Sequence, residues 1–425
     1  MFLIASSLTF MKTPLTAKLN TQLKLFKIKV KQNIMRTLNN ILRMRRDIMK
    51  LLVIHPHLSI IGGSEKLTQI LVYELEKKRK NIEILVLTGS RNKELFPETS
   101  KIKFKLFKEA PVKAKNLRIK RLINAFLTLS EVMDDFCPDA VLAMIQEPIY
   151  LVLSKIVKPN IGTAIYIHFP FEEELTKDNV VEFIKVYRFP GFYESFYKFV
   201  DLKITNSNYT AKVLYEKFGL ESNVVYPAIP WDFFKEKPSL DQDPGPSIIS
   251  VGRFVPHKRF TILLKLFKDR IKPLIPEARL TIVGIPDPRY VDYYRKVVEL
   301  ADRIADVEVI SRPLTPLELA KLYRQSRVYV HLRIGEHFGM APVEAMSQGT
   351  VPILPSKSGL AELLTHRVSG FKYENDNELI TYILEVLKVP RDKYLKLKRN
   401  AYYKSLYFTP ERFANDILGY LNLVV

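Results

Sequence analysis

From Lys50 onward, short apolar runs rich in branched residues alternate with longer stretches in which apolar positions recur every three or four residues. The short runs are Leu51–Pro56 (LLVIHP), Ile82–Leu87, Ala140–Met144, Thr163–Phe169, Leu202–Thr205 and Val224–Pro227. Such alternation predicts parallel strands with helices on both faces. A polar segment, Lys235–Pro246 (KEKPSLDQDPGP), then interrupts the pattern with three prolines and a glycine, and reads as a linker. The alternation restarts with Ser247–Gly252, Arg279–Gly284, Val328–Leu332 and Val351–Pro355. Thr315-Pro316-Leu317-Glu318 pairs a capping box with proline at the first helical position, predicting a helix from Pro316 to about Gln325. Thr409-Pro410-Glu411 opens another helix near the end of the chain.

The expected organisation is two doubly wound α/β domains, residues 49–234 and 247–405, joined by the linker 235–246. A C-terminal helical segment, 406–425, is expected to pack back on the first domain. Ligands of such sheets bind beyond the carboxyl ends of the strands, so the useful residues should follow the runs named above.

Composition narrows the setting. At 425 residues the chain is too long for one ordinary core. Cys137 is its one cysteine, so no internal disulfide can form, and a reducing, cytoplasmic setting is expected. No apolar run reaches the roughly 20 residues that span a bilayer, and Met1–Phe10 lacks the charged leader of a signal peptide. Any meeting with a membrane is therefore expected from one side.

The formal charge of +21 is the unusual feature. Residues 1–48 hold ten basic residues against one acid, Asp47, and carry +9 of it. In that segment Ile34, Leu38, Ile41 and Leu42 share a helical face for only two turns. It reads as an upstream extension ahead of a domain that could begin at Met49, rather than as a membrane arm. The remaining +12 still calls for an anionic partner, either nucleic acid or lipid. No zinc ligands, aromatic-stacking strand signature or recognition helix is found, so nucleic acid is not expected. Lys113, Lys115, Arg118, Lys120 and Arg121, interleaved with Leu117, Leu122, Ile123, Phe126 and Leu127, form a basic amphipathic segment suited to an anionic membrane surface. The aromatic stretch Phe189–Phe199 suits headgroup depth. The plain alternative for both is core packing beneath a solvated charged face.

Four groups of residues could carry chemistry. Gly62-Gly63 lies between the first strand and a helix through Leu67, Ile70 and Leu71, where backbone N–H groups and the helix dipole favour a phosphate, although a glycine pair is more often just a turn. Gly252-Arg253 and Lys258 put two cations beyond a strand end, suited to a diphosphate, where a solvated basic loop is the alternative. His168 ends a strand and could donate to a ligand or titrate near neutrality, though a lone histidine is usually structural. The sharpest segment follows Val328–Leu332: Gly335-Glu336-His337-Phe338-Gly339, then a helix expected to open at Pro342 with Glu344 in its first turn, ended by Gly349. Two carboxylates there can accept hydrogen bonds from sugar hydroxyls, and Met340 and Ala341 would offer backbone N–H groups. The plain alternatives are a loop acid and a first-turn acid.

Glu336-His337-Phe338-Gly339 with Glu344-Ala345-Met346 and Gly349 resembles the glutamate–seven–glutamate signature of retaining glycosyltransferase family 4. The resemblance runs from about Met49 to the C-terminus. The segments Ile167–Pro170, Asn206-Ser207 and Tyr226-Pro227 are similar to mannosyltransferases that build lipid-linked oligosaccharides. It implies the GT-B fold, two Rossmann-like domains facing across a cleft, with the acceptor on the first and the nucleotide sugar on the second. It implies transfer from a nucleotide-sugar donor, GDP-mannose being the expectation, to a lipid-linked sugar acceptor at the cytoplasmic face of a membrane, with no metal or other cofactor.

By the same resemblance, Arg253 and Lys258 neutralise the leaving diphosphate, Glu344 holds the donor ribose, Glu336 orients the donor sugar and His168 bonds to it. Gly62, Gly63, Phe338, Gly339, Met340 and Ala341 complete the donor site. The sequence departs from the family pattern at Met340-Ala341-Pro342 and at Ser358-Gly359, which keeps one glycine of a usual pair. A sugar-nucleotide epimerase of the same fold and a non-enzymatic basic nucleotide-sugar- or nucleic-acid-binding protein are the alternatives.

Overall fold

The apolar run that opens the alternating pattern forms β1 (Met49–Ile54), the hub of the first sheet. Around it stand β2 (Ile82–Thr88), β3 (Ile102–Leu106), β4 (Ala140–Ala143), β5 (Gly162–Ile167), β6 (Leu202–Thr205) and β7 (Asn223–Val224), in the order β3-β2-β1-β4-β5-β6-β7. A second sheet holds β8 (Ser247–Val251), β9 (Arg279–Val283), β10 (Val307–Ile310), β11 (Val328–Val330), β12 (Val351–Pro355) and β13 (Phe371–Tyr373), in the order β10-β9-β8-β11-β12-β13. Registered neighbours such as β1 and β4 or β8 and β11 run parallel. The strand order reverses beside β1 and beside β8, and each reversal opens a crevice at the carboxyl ends of the strands.

The computed structural model describes residues 48–59, 62–79, 81–108, 117–170 and 192–425, excepting the side chains of 117–119 and 192–194. Lys50–Val425 form one compact unit. The basic extension, apart from Ile48, lies outside the described residues, as do Lys113, Lys115, Phe189 and the side chains of Leu117, Arg118, Phe192 and Tyr193.

Six helices matter to the site: α1 (Gly63–Lys78), α2 (Leu117–Asp135), α3 (Asn208–Phe218), α4 (Pro316–Arg324), α5 (Met340–Ser347) and α6 (Pro410–Leu421). The capping box of α4 forms as its sequence requires, with Thr315 Oγ1 accepting from Glu318 N and the Glu318 carboxylate accepting from Thr315 N. Helix α6 buries Phe413, Ile417 and Leu421 and packs against α1, where Lys78 pairs with Glu411.

Helix α5 differs from its expectation. It starts at Met340, two residues before Pro342, so Glu344 is its fifth residue and lies beyond the first turn. Proline is tolerated at the third position because first-turn N–H groups have no partner within the helix. Glu344 is therefore not a dipole-pleasing first-turn acid, and its burial calls for a different reason.

Candidate active site

The loop that follows β11 is fixed by its neighbour after β12. Gly335 N donates to Lys357 O and Gly359 N to Glu336 O, each at 2.8 Å. A Cβ at Gly359 would stand 1.9 Å from His337 O, so the one glycine kept from the usual pair is sterically required. Gly339, at φ +87°, turns the chain into α5 through a backbone conformation that only glycine adopts easily.

This frame aims Glu336 at a cluster of basic side chains. Lys258 Nζ stands 2.7 Å from its Oε2, His331 Nε2 3.2 Å from the same oxygen, and Arg333 Nη1 4.0 Å from Oε1. Burial pushes the carboxyl up, but Lys258, His331 and Arg333 outweigh it and hold the group well below the usual carboxylate range. Burial, and then Lys258, push His331 down from its ordinary value. The neutral ring must donate through Nε2, because an ionised carboxylate only accepts. The site thus sets an ionised carboxylate against the Lys258 side chain.

Glu344 is 4% exposed. Tyr323 donates to its Oε2 at 3.4 Å, and Lys66 of α1 stands 3.5 Å from its Oε1. That last contact crosses the cleft between the two sheets. Beside it, a Cβ added to Gly63 would lie 3.6 Å from Met340 Cε, so the amino ends of α1 and α5 meet there. Met340 and Ala341 occupy the first two positions of α5, as the anion-site expectation requires. Gly62 does not offer an open N–H: it donates to Glu65 Oε2 at 3.0 Å, an acid of its own helix.

The remaining candidates spread out. Arg253 leaves the two glutamates alone and sits 3.3 Å from Asp287, already the partner of Arg289 at 2.9 Å. Arg289 holds the Asp287 carboxyl down at about 2. The Phe338 side chain is buried beside Tyr226 and Phe408, so what it can offer a ligand is backbone. His168 donates from Nε2 to Met144 O at 3.1 Å, and burial lowers its pKa to about 4. The expectation of titration near neutrality fails. The ring is neutral at pH 7 and keeps Nδ1 as an acceptor.

In the Asn206-Ser207 pair, Asn206 braces the loop after β5 and Ser207 crosses to the second half. Asn206 Nδ2 donates to His168 O at 2.8 Å, and Ser207 Oγ to His337 O at 2.6 Å. Across the same seam, Glu362 accepts from Asn208 N and Tyr209 N at 2.8 and 2.9 Å, holding the amino end of α3. Both loops that flank the cleft are thereby tied to one edge.

Three contributors escaped sequence reasoning: His331, Tyr323 and Lys66. His331 left a signal, a polar residue inside the apolar run Val328–Leu332; Tyr323 and Lys66 sit in ordinary amphipathic helices and left none. Among the described residues, no group of three His, Cys, Asp or Glu side chains is placed to hold a metal ion.

Residues 232–404 match the family model described as glycosyl transferases group 1. The GDP-Man:Man(3)GlcNAc(2)-PP-Dol alpha-1,2-mannosyltransferase of Dictyostelium discoideum is 26% identical over 57% of this chain and 50% of its own length. The human enzyme of the same name is 26% identical over 56% of this chain and 52% of its own. The chain thus spans about half the length of these relatives.

Among solved structures, Anabaena HepE in complex with UDP and glucose superposes with a TM-score of 0.68 at 18% identity, covering 88% of this chain and 100% of that one. Sucrose-phosphate synthase from Thermosynechococcus elongatus gives 0.70 at 15% identity, covering 88% and 99%. At such identities the likeness is one of fold. With two parallel α/β sheets facing across a cleft and the Glu336–Gly349 segment on its rim, the chain has the GT-B fold, and its residues 232–404 are similar to the group 1 glycosyl transferases.

Proposed function

We propose that this protein is a retaining glycosyltransferase that moves mannose from GDP-mannose to a lipid-linked glycan, working from the cytoplasmic face of an anionic membrane surface. The observation that carries the reading is the cleft-rim pair of Glu336 with Lys258, backed by His331 and set before the amino end of α5. In the transfer, the bond from the anomeric carbon to the diphosphate oxygen breaks and an acceptor hydroxyl oxygen takes its place. The hydroxyl proton leaves with the diphosphate.

Lys258 and the N–H groups of Met340 and Ala341 stabilise charge growing on that diphosphate, and Arg253 assists from the loop after β8. Glu344 accepts from the ribose hydroxyls and Glu336 from the sugar. His168, neutral, accepts through Nδ1. The names of the relatives support mannose, GDP and a lipid-linked acceptor.

Helix α2 supports the membrane contact. It buries Ala125, Leu129, Val132 and Met133 while Leu122, Phe126 and Leu127 remain partly exposed on its outer side, near Arg121. Aromatic insertion is supported less: Tyr197 is fully buried and donates to Gln146 O, whereas Phe199 is exposed. No helix among the described residues is long and apolar enough to cross a membrane.

The test is to offer a panel of nucleotide sugars with a polyprenyl-diphosphate-linked glycan. Extension of the glycan by one α-linked mannose is the expected result. Interconversion of the nucleotide sugar without acceptor would replace this reading with an epimerase.

A further inference from the structure

Lys66 is in the wrong place for a structural lysine. It is the fourth residue of α1, where the helix dipole disfavours a cation. The acid beside it does not explain it. Glu65 spends its carboxylate within its own half of the molecule, on Gly62 N and Ser64 Oγ at 3.0 Å each, with His55 Nε2 at 4.0 Å. Lys66 instead reaches across the cleft to Glu344.

Lys258, Arg253 and Lys66 are unequally committed. Lys258 is held at 2.7 Å by Glu336, and Arg253 shares Asp287 with Arg289. Lys66 makes the loosest of these pairs, 3.5 Å, with a side chain that is 26% exposed. It also stands where the amino ends of α1 and α5 converge, and both ends favour an anion.

We infer that Lys66 is a ligand of the donor diphosphate. This rests on the donor site proposed above. When ribose hydroxyls occupy Glu344, the ammonium transfers from that carboxylate to a phosphate oxygen a short swing away. The diphosphate then bridges a cation from the first half of the chain and the α5 amino end from the second, so donor binding itself holds the cleft closed.

The test is calorimetric titration of GDP and of guanosine into wild type, Lys66→Met and Lys66→Arg. Lys66→Met should weaken GDP about tenfold, as for loss of one charge-assisted contact, and leave guanosine unchanged. Lys66→Arg should restore most of the GDP affinity. A second series in a Glu344→Gln background separates direct contact from support of Glu344. Lys66→Met should still cost about tenfold there, because the phosphate contact does not depend on the carboxylate. Equal loss on both probes, no loss on GDP, or no further loss in the Glu344→Gln background overturns the inference. Failure of wild type to bind GDP at all overturns the donor-site reading, and this inference with it.

Discussion

The two rims of the cleft are built differently. On the side of the second sheet, Glu336, partly buried, and Glu344, buried, are carboxylates already engaged by Lys258, His331, Tyr323 and Lys66. On the side of the first sheet, Lys66 apart, the corresponding groups are neutral imidazoles, with burial lowering His168 to about 4 and His55 to about 3. A charged, prepaired rim suits a ligand whose charge is the same in every reaction, a nucleoside diphosphate. A neutral rim beside a partly apolar helix suits an uncharged sugar hydroxyl presented from a lipid. Preorganised charge is effective where charge develops in the transition state, so under the proposed function the demanding electrostatics fall on the donor side.

The largest effect should come from breaking the charged rim. Glu336→Gln leaves Lys258 and Arg333 beside a neutral amide and should lower kcat a hundred- to a thousandfold, on the order expected for one preorganised electrostatic group. Glu344→Gln should act mainly on nucleotide affinity. Steady-state kinetics with calorimetric GDP binding separates the two, and normal values for both variants would remove the carboxylates from the site.

Next come the cations, which the structure ranks. Lys258→Ala should cost about 2–4 kcal/mol in kcat/KM. Arg253→Ala should cost clearly less, because Arg253 is 64% exposed and rests on Asp287 rather than on Glu336. Equal losses would show that Arg253 leaves Asp287 when donor binds.

The neutral rim is sharpened by pH. Burial lowers His55 from 6.5 to about 3, so the unfolded chain binds the extra proton first. Its contribution to stability is complete above pH 6.5 and is lost as pH falls toward 3, at about 1.4 kcal/mol per pH unit. His55→Gln should flatten the acid limb of a denaturant-measured stability profile by that slope. An unchanged slope would mean that His55 titrates alike in both states. In the same frame, His168 should add no inflection to kcat/KM between pH 6 and 8.

The smallest effects belong to α2. Charge reversal at Lys120 and Arg121 should weaken sedimentation with anionic vesicles by about 1 kcal/mol per site, in a salt-sensitive way, while GDP binding stays unchanged. Equal binding to neutral and anionic vesicles would reject the membrane contact.

Much of this difference was legible in the residues. Interior strands such as β1, β5 and β8 are buried on both faces and stand out as continuous apolar runs. The strands that escaped, β3, β10 and β13, are sheet edges. IKFKL and VEVI are half exposed, and FKY is too short to show a period. The spacing of Glu336 and Glu344 marked the site because both carboxylates come from one continuous segment. Their partners could not be read in the same way. Lys66 lies 278 positions from Glu344 along the chain, and only the docking of α1 on α5 brings them together. The start of α5 was misplaced because proline at a third position looks like proline at a first.

The role of Glu336 in sugar transfer is decided by one turnover assay with purified protein, GDP-mannose and a polyprenyl-diphosphate-linked glycan, run for wild type and Glu336→Gln, with product linkage read by NMR. Wild type should add a single mannose with retained α configuration, and Glu336→Gln, still folded and still binding GDP, should form product at least a hundredfold more slowly. Equal turnover by the two proteins, or a product of inverted configuration, would contradict it.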